Sequence, residues 1–203
     1  MQDTRIDGMG TIAGGEYGSV KVSGMGKCTG DLTAQSLSVS GKFTCQGKLK
    51  VGKLTCSGTA DFEGDISAAS LSASGRLVLG EDCNLEAQEV RCSGYIRVGG
   101  QISADFLKAE GAINAREVVG DQIQIISHSR GLGALLFPTL STVGMVEATT
   151  ISLSGVRADT VSGQNVTIGP RCDIGQVDCS GTLSVHRSAK IGRVTGDCVR
   201  QGL

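Results

Sequence analysis

The sequence has no tryptophan, only four Phe and two Tyr, and only two Pro. Aromatic rings supply much of the volume of a conventional globular interior. At 3% aromatic content, this interior has to be built from small and medium aliphatic side chains. Scarcity of proline excludes a proline-rich linker. No apolar run approaches the roughly 20 residues that a membrane-spanning helix needs. Even Leu135-Leu136-Phe137, among the longest, is far short of that. The opening Met1-Gln2-Asp3-Thr4-Arg5 lacks the apolar segment of a secretory signal, so the expected compartment is the cytoplasm. The eight cysteines are then read as thiols before disulfides.

Charge of one sign is also missing. The chain carries a net charge of −1 from 19 basic and 20 acidic side chains. The balance is +3 over residues 1–60, −5 over 61–120 and +1 over 121–203. No block is basic enough to hold a phosphate backbone, and stacking platforms are absent, so nucleic acid is not an expected partner.

What is present is glycine, 31 residues of 203, and it recurs at a fixed interval. A Ser-Gly pair or close equivalent falls at Gly24, Gly41, Gly58, Gly75, Gly94 and Gly111, spaced by 17, 17, 17, 19 and 17 residues. Such a period is the mark of a solenoid. Apolar residues come in pairs two apart, such as Leu32/Ala34, Leu37/Val39 and Phe43/Cys45, which places both members on one face of a strand. Three such pairs per repeat describe one coil of a three-sided parallel β-helix. A helical reading fails, because the i, i+3, i+4 pattern is missing and interior glycine costs roughly 1 kcal/mol each in a helix. Beyond an interruption the pattern returns at Ile151/Leu153, Val166/Ile168 and Leu183/Val185. At about 4.8 Å per coil, some ten coils make a rod about 45–50 Å long.

The expected organisation is a flexible N-terminal segment over 1–18, coils over 19–126, a non-repeat excursion over 127–148, further coils over 149–198 and a tail over 199–203. In the excursion, Leu135, Leu136 and Phe137 are candidates for a secondary contact.

Candidate chemistry is sparse. His128 and His186 lie in unrelated contexts, and no Ser/His/Asp or Cys/His arrangement is suggested. No C-x-x-C occurs among Cys28, Cys45, Cys56, Cys83, Cys92, Cys172, Cys179 and Cys198. Cys28 and Cys45 fall in one inward column of adjacent coils, which is compatible with a disulfide or a soft metal, but more simply with small buried hydrophobes. Cys198, outside the clear pattern, is expected to be the most reactive thiol. Glu63 and Asp65 could share a strand face as paired carboxylates do in β-helix lyases and hydrolases. A solvated acidic face is the simpler reading, as it is for Glu81 and Asp82. No catalytic residue, cofactor or metal is expected, and the chain is not read as an enzyme. The alternatives are a β-helix enzyme acting on carbohydrate or acyl groups, or a passive ligand-binding solenoid. A hexapeptide acyltransferase would need a strict six-residue aliphatic period, which is absent.

A regular rod has unpaired strand edges at its ends, and no helix that could cap them is legible. End-to-end stacking is therefore expected, with Val20 and Val22 at one end and Val185, Ile191 and Val194 at the other as the contacts.

Three stretches resemble the bactofilins, polymer-forming cytoskeletal proteins of bacteria, in particular the longer forms of Gram-positive species. They are Gly14-Gly15-Glu16-Tyr17-Gly18-Ser19-Val20-Lys21-Val22, the Gly-Asp-Leu and Gly-Asp-Ile at Gly30 and Gly64, and Asp159 through Pro170. The resemblance implies a right-handed three-sided β-helix and nucleotide-free self-assembly through the end coils. It also implies a role in cell shape or envelope organisation at the inner face of the membrane. The partners implied are further copies of the chain, with envelope or membrane-associated proteins beside them. Many relatives carry an apolar N-terminal membrane-targeting stretch, whereas Met1–Asp7 is polar, which speaks against direct membrane binding.

Overall fold

The computed structural model describes residues 1–127 and 140–202. The strands in chain order are β1 Gln2–Ile6, β2 Met9–Ile12, β3 Gly15–Val22, β4 Met25–Cys28, β5 Leu32–Val39, β6 Lys42–Cys45, β7 Leu49–Cys56, β8 Thr59–Phe62, β9 Ile66–Ala73 and β10 Arg76–Leu79. They continue as β11 Leu85–Cys92, β12 Tyr95–Arg97, β13 Gln101–Ala109, β14 Ala112–Ile126, β15 Ser141–Ser154, β16 Val156–Ile168, β17 Asp173–Val185, β18 Lys190–Thr195 and β19 Val199–Gly202. All pairings are parallel and no helix occurs among the described residues. The chain is a β-solenoid of about eleven turns with a period near 17 residues.

Each strand pairs with its counterpart one coil on. Leu37 stands beside Leu54, Leu54 beside Leu71, Leu71 beside Val90 and Val90 beside Leu107. The same column runs on through Ile123, Ile151, Val166 and Leu183. Interior members are 0–1% exposed. The aliphatic side chains thus fill one continuous dry lumen, and their burial is the main source of stability.

Three sides were expected to be three strands. In the N-terminal half they form two, because the eight-residue strands run across a corner. Pairing of β5 with β7 passes from Ala34–Val51 to Ser36–Lys53 and skips Gln35 and Gly52 at the bend.

Two corner devices explain the repeated motifs. At the Ser-Gly corner the backbones of adjacent coils lie in direct contact. A Cβ on Gly41 or Gly58 would stand 2.0 Å from the carbonyl O of Gly24 or Gly41, far inside van der Waals contact. Those carbonyls accept the N–H of Lys42 and of Thr59, each at 2.8 Å. The φ angles there are ordinary, so close approach and not left-handed backbone selects glycine. At the Gly-Asp corner the side chain bonds to the next coil. Asp31 Oδ1 accepts the Lys48 N–H at 2.8 Å, Asp65 Oδ1 accepts the Asn84 N–H at 3.0 Å, and Asn84 Oδ1 accepts the Gln101 N–H at 2.8 Å.

Lumen packing sets where large and small residues go. Phe43 lies between Gly26 and Ala60 in its column, and Phe62 between Cys45 and Leu79. The two rings meet edge to face at 6.1 Å. Cys45 and Ala60 are small because each sits beside a phenyl ring in a channel of fixed width.

The structure corrects three boundaries. Residues 1–18 are not a loose segment, since β1 pairs with β3 and β2 with β4. Thr4 and Gly10 occupy inward positions there, and that hides the pattern. The repeat resumes at Ser141 rather than 149, with Ala115 beside Val143 and Val118 beside Val146. Residues 199–202 form β19 against β17.

Two buried hydroxyls, Ser127 and Ser141, stand on either side of the residues between the described segments. Ser127 and Ser141 are 2% and 0% exposed and 2.8 Å apart. Ser141 Oγ accepts the Ile113 N–H at 3.0 Å, and Ser127 Oγ donates to the Gly111 carbonyl at 3.2 Å. Arg171 Nη2 donates to the Ser127 carbonyl at 2.6 Å from a left-handed backbone of φ 59°.

Candidate assembly surfaces

The two terminal coils differ from the coils between them in one respect: each has a neighbour on one side only. Ile191 continues the column of Ala158 and Ile174, and Val194 that of Val161 and Val177. The inner members are 0–3% exposed, whereas Ile191 and Val194 are only half-buried. Their uncovered sides face along the rod axis, where one more coil would stand. Val185 lies one coil further in, beside Gly202, and is half-buried too.

The opposite end differs from expectation. Val20 and Val22 are 0% and 1% exposed, because β1 covers them through Thr4 and Ile6. The half-buried lumen residues at that end are Thr4 and Ile12, the latter beside Cys28 at the end of its column, while Ile6 is 7% exposed. Sequence reading missed them because a first coil with Thr and Gly in inward slots has too few aliphatics to register. Leu135, Leu136, Phe137 and His128 lie outside the described residues.

The groups considered for chemistry take structural places. Glu63 and Asp65 lie in the turn after β8, and Asp65 serves the ladder. The Asn84 N–H first, and Lys48 Nζ at 3.0 Å second, hold its carboxyl below the ordinary carboxylate value. Asp82 reaches Arg116 at 3.7 Å across an exposed turn. His186 Nδ1 accepts the Ser188 N–H at 3.1 Å within a tight turn. Among the described residues, no group of three or more His, Cys, Asp or Glu is placed to hold a metal.

Six of the eight cysteines are buried in the lumen, and Cys83 and Cys198 are half-buried against it. Cys28 and Cys45 are adjacent in register, both buried and unbridged. Burial pushes the Cys45 thiol up to about 12, with Cys28 beside it adding to the rise. Burial likewise pushes Cys92 up to about 12 and Cys56 up to about 11. A thiol held so far above neutrality carries almost no thiolate, the reactive form. Cys198 is half-buried in the last coil, packed against the lumen.

By architecture the molecule is a parallel β-solenoid with an aliphatic lumen open at both terminal coils. A protein-family model described as Bactofilin, polymer-forming cytoskeletal, matches residues 1–81 of the chain. The coils after residue 81 continue the same columns without a break. No curated protein and no solved structure matches the chain. Family and fold together support a structural, cytoskeletal role. No helix among the described residues is long and apolar enough to cross a membrane.

Proposed function

We propose that this chain is a cytoplasmic cytoskeletal subunit that self-assembles end to end into filaments without nucleotide and supports cell shape or envelope organisation. One observation carries the reading. Columns whose members are almost all sealed through the body of the rod end on half-buried Ile191 and Val194 at one terminus. At the other they end on half-buried Ile12 and a strand edge. A second copy is the partner that fits both features at once. Its own terminal coil offers unpaired N–H and C=O groups at the strand spacing and an aliphatic lumen of the same cross-section. The proposed contacts are Ile191, Val194 and Val185 at one end and Ile6 and Ile12 at the other. Val20 and Val22 support them from the next coil. Copies of the chain are the proposed partners, together with envelope or membrane-associated proteins along the inner face of the membrane.

Val194→Asp tests the proposal. A carboxylate in the uncovered lumen is solvated in the single rod but desolvated at a junction, which costs several kcal/mol. Negative-stain images of the purified protein should show filaments for the wild type and short or single rods for the variant, with equal far-UV circular dichroism. Filaments of unchanged length in the variant would remove the terminal lumen from the contact.

A further inference from the structure

We propose that one flank of the rod, the face built by its first short strands, is a docking surface for an acidic segment of a partner protein. The inference concerns a side of the rod and holds however the ends join. Strands β2, β4, β6, β8, β10 and β12 pair in register and present two outward rows. One row runs from Met9 through Met25 and Lys42 to Arg76 and ends on Tyr95. The other runs from Thr11 through Lys27 and Asp61 to Arg97. Lys27, Lys42, Arg76 and Arg97 are exposed, against one half-buried carboxylate, Asp61. Lys27, Lys42 and Arg97 make no ion pair among the described residues. Elsewhere on the rod carboxylates do answer cations, as Asp65 does Lys48 and Glu110 does Lys108. Arg76 lies over the Tyr95 ring at 5.2 Å, and the Tyr95 hydroxyl accepts Asn114 Nδ2 at 3.2 Å. Stacking orders the planar guanidinium in advance of any carboxylate that meets it.

The apolar part of this face is confined to one end. Met9 and Met25 are 82% and 52% exposed and are neighbours in register. Together with Gly10, Gly26, Lys27 and Lys42 they line an open cleft of about 320 Å³, where a partner side chain can seat. Methionine adapts its shape to what it meets, which suits such a contact. From Met9 to Arg97 the face extends over five coil spacings, about 24 Å. Its order, apolar and then basic, sets the chemistry of the occupant: an apolar end followed by carboxylates. A lipid bilayer fits less well, because a rod laid on this face would sink only its first two coils below the headgroups. Nucleic acid fits less well because Tyr95, the one ring in the two rows, is 6% exposed and offers no platform for a base. In a filament the face recurs on every subunit, so a partner with several such segments gains avidity.

Fluorescence anisotropy of a labelled synthetic peptide, Leu-Leu followed by a Glu-Ser repeat, tests this on the whole chain. The wild type binds the peptide, more weakly as salt rises. Lys42→Glu with Arg76→Glu weakens binding about tenfold or more. Lys21→Glu with Lys53→Glu makes the same change of net charge on the long strands β3 and β7, and weakens it by less than about threefold. Should loss of the Tyr95 contact lower the melting curve of the first variant, Lys27→Glu with Arg97→Glu reads the same face without touching that ring. Met9→Ser with Met25→Ser weakens binding of this peptide but not of the Glu-Ser repeat alone. Equal loss in the Lys21 and Lys53 variant would reduce the effect to net charge and overturn the proposal. A wild type that ignores the peptide overturns it too, and one that instead sediments with phosphatidylserine vesicles through Lys42 and Arg76 gives the face to a membrane. Negative-stain images of the same samples report filaments separately, so absent docking beside intact filaments removes this inference and leaves end-to-end assembly standing.

Discussion

Replacing Leu54 by alanine measures how far the lumen can relax. Leu54 is 0% exposed and lies in register between Leu37 and Leu71, themselves 1% exposed. Truncation removes the apolar contacts of the isobutyl group and leaves a void. Buried Leu→Ala changes span about 2–5 kcal/mol, depending on how well the site collapses. Here collapse is opposed on both sides, because Leu37 and Leu71 are held at the ladder spacing by backbone hydrogen bonds in β5 and β9. The expected cost therefore lies toward the upper end, about 4 kcal/mol. For a chain of this size that is a fall in Tm of roughly 8–16 °C. The neighbour Thr55 points outward between Ser38 and Ser72, and Thr55→Ala should change stability by no more than about 0.5 kcal/mol. Far-UV circular dichroism melts give the comparison, and native-state hydrogen exchange shows whether protection is lost first in β7 and its neighbours, as nearest-neighbour coupling in a solenoid requires. Equal destabilisation by Leu54→Ala and Thr55→Ala would refute a lumen in which alternate residues are sealed.

Two further outcomes are expected besides that given for Val194. Ser141→Ala removes the acceptor of the Ile113 N–H and the partner of the Ser127 hydroxyl in a site closed to water, so chemical denaturation should show a loss of about 1–3 kcal/mol. Ser141→Thr, if its hydroxyl keeps both bonds, should lose less. Asp65 has its carboxyl pKa held below the ordinary value by the Asn84 N–H and then by Lys48, so it contributes stability at neutral pH that is lost as pH falls through the folded-state pKa. Asp65→Asn keeps an acceptor but no charge. Its stability should fall slightly below wild type near pH 7, and the two curves should converge as the solution is acidified below about pH 4. Curves that stay parallel across that range would show that the charge contributes nothing.

The repeat made most of the fold legible. A glycine every 17 residues and apolar pairs two apart admit few architectures, and Leu37, Leu54 and Leu71 do stand in file. The break was harder to place. Ala115 and Val143 are 28 residues apart in sequence yet paired in register, so an interval-based reading loses the column. The first coil was illegible for a different reason. Thr4 and Gly10 fill inward slots at an end that needs less aliphatic volume, and their strands show only through pairing with β3 and β4. The less covered lumen positions at that end are therefore Thr4 and Ile12 rather than Val20 and Val22.

The sequence by itself determined the winding: period, inward columns and corner residues are local and repeat, so each coil states its own geometry. Only the tertiary structure decided where the columns stop. Whether Val20 is sealed or Val194 uncovered depends on whether another coil lies beside it, and no pattern within a single coil carries that information. The same holds for Ser127 and Ser141, far apart in the repeat but 2.8 Å apart in space, where a hydroxyl pair closes a corner that elsewhere is made by glycine.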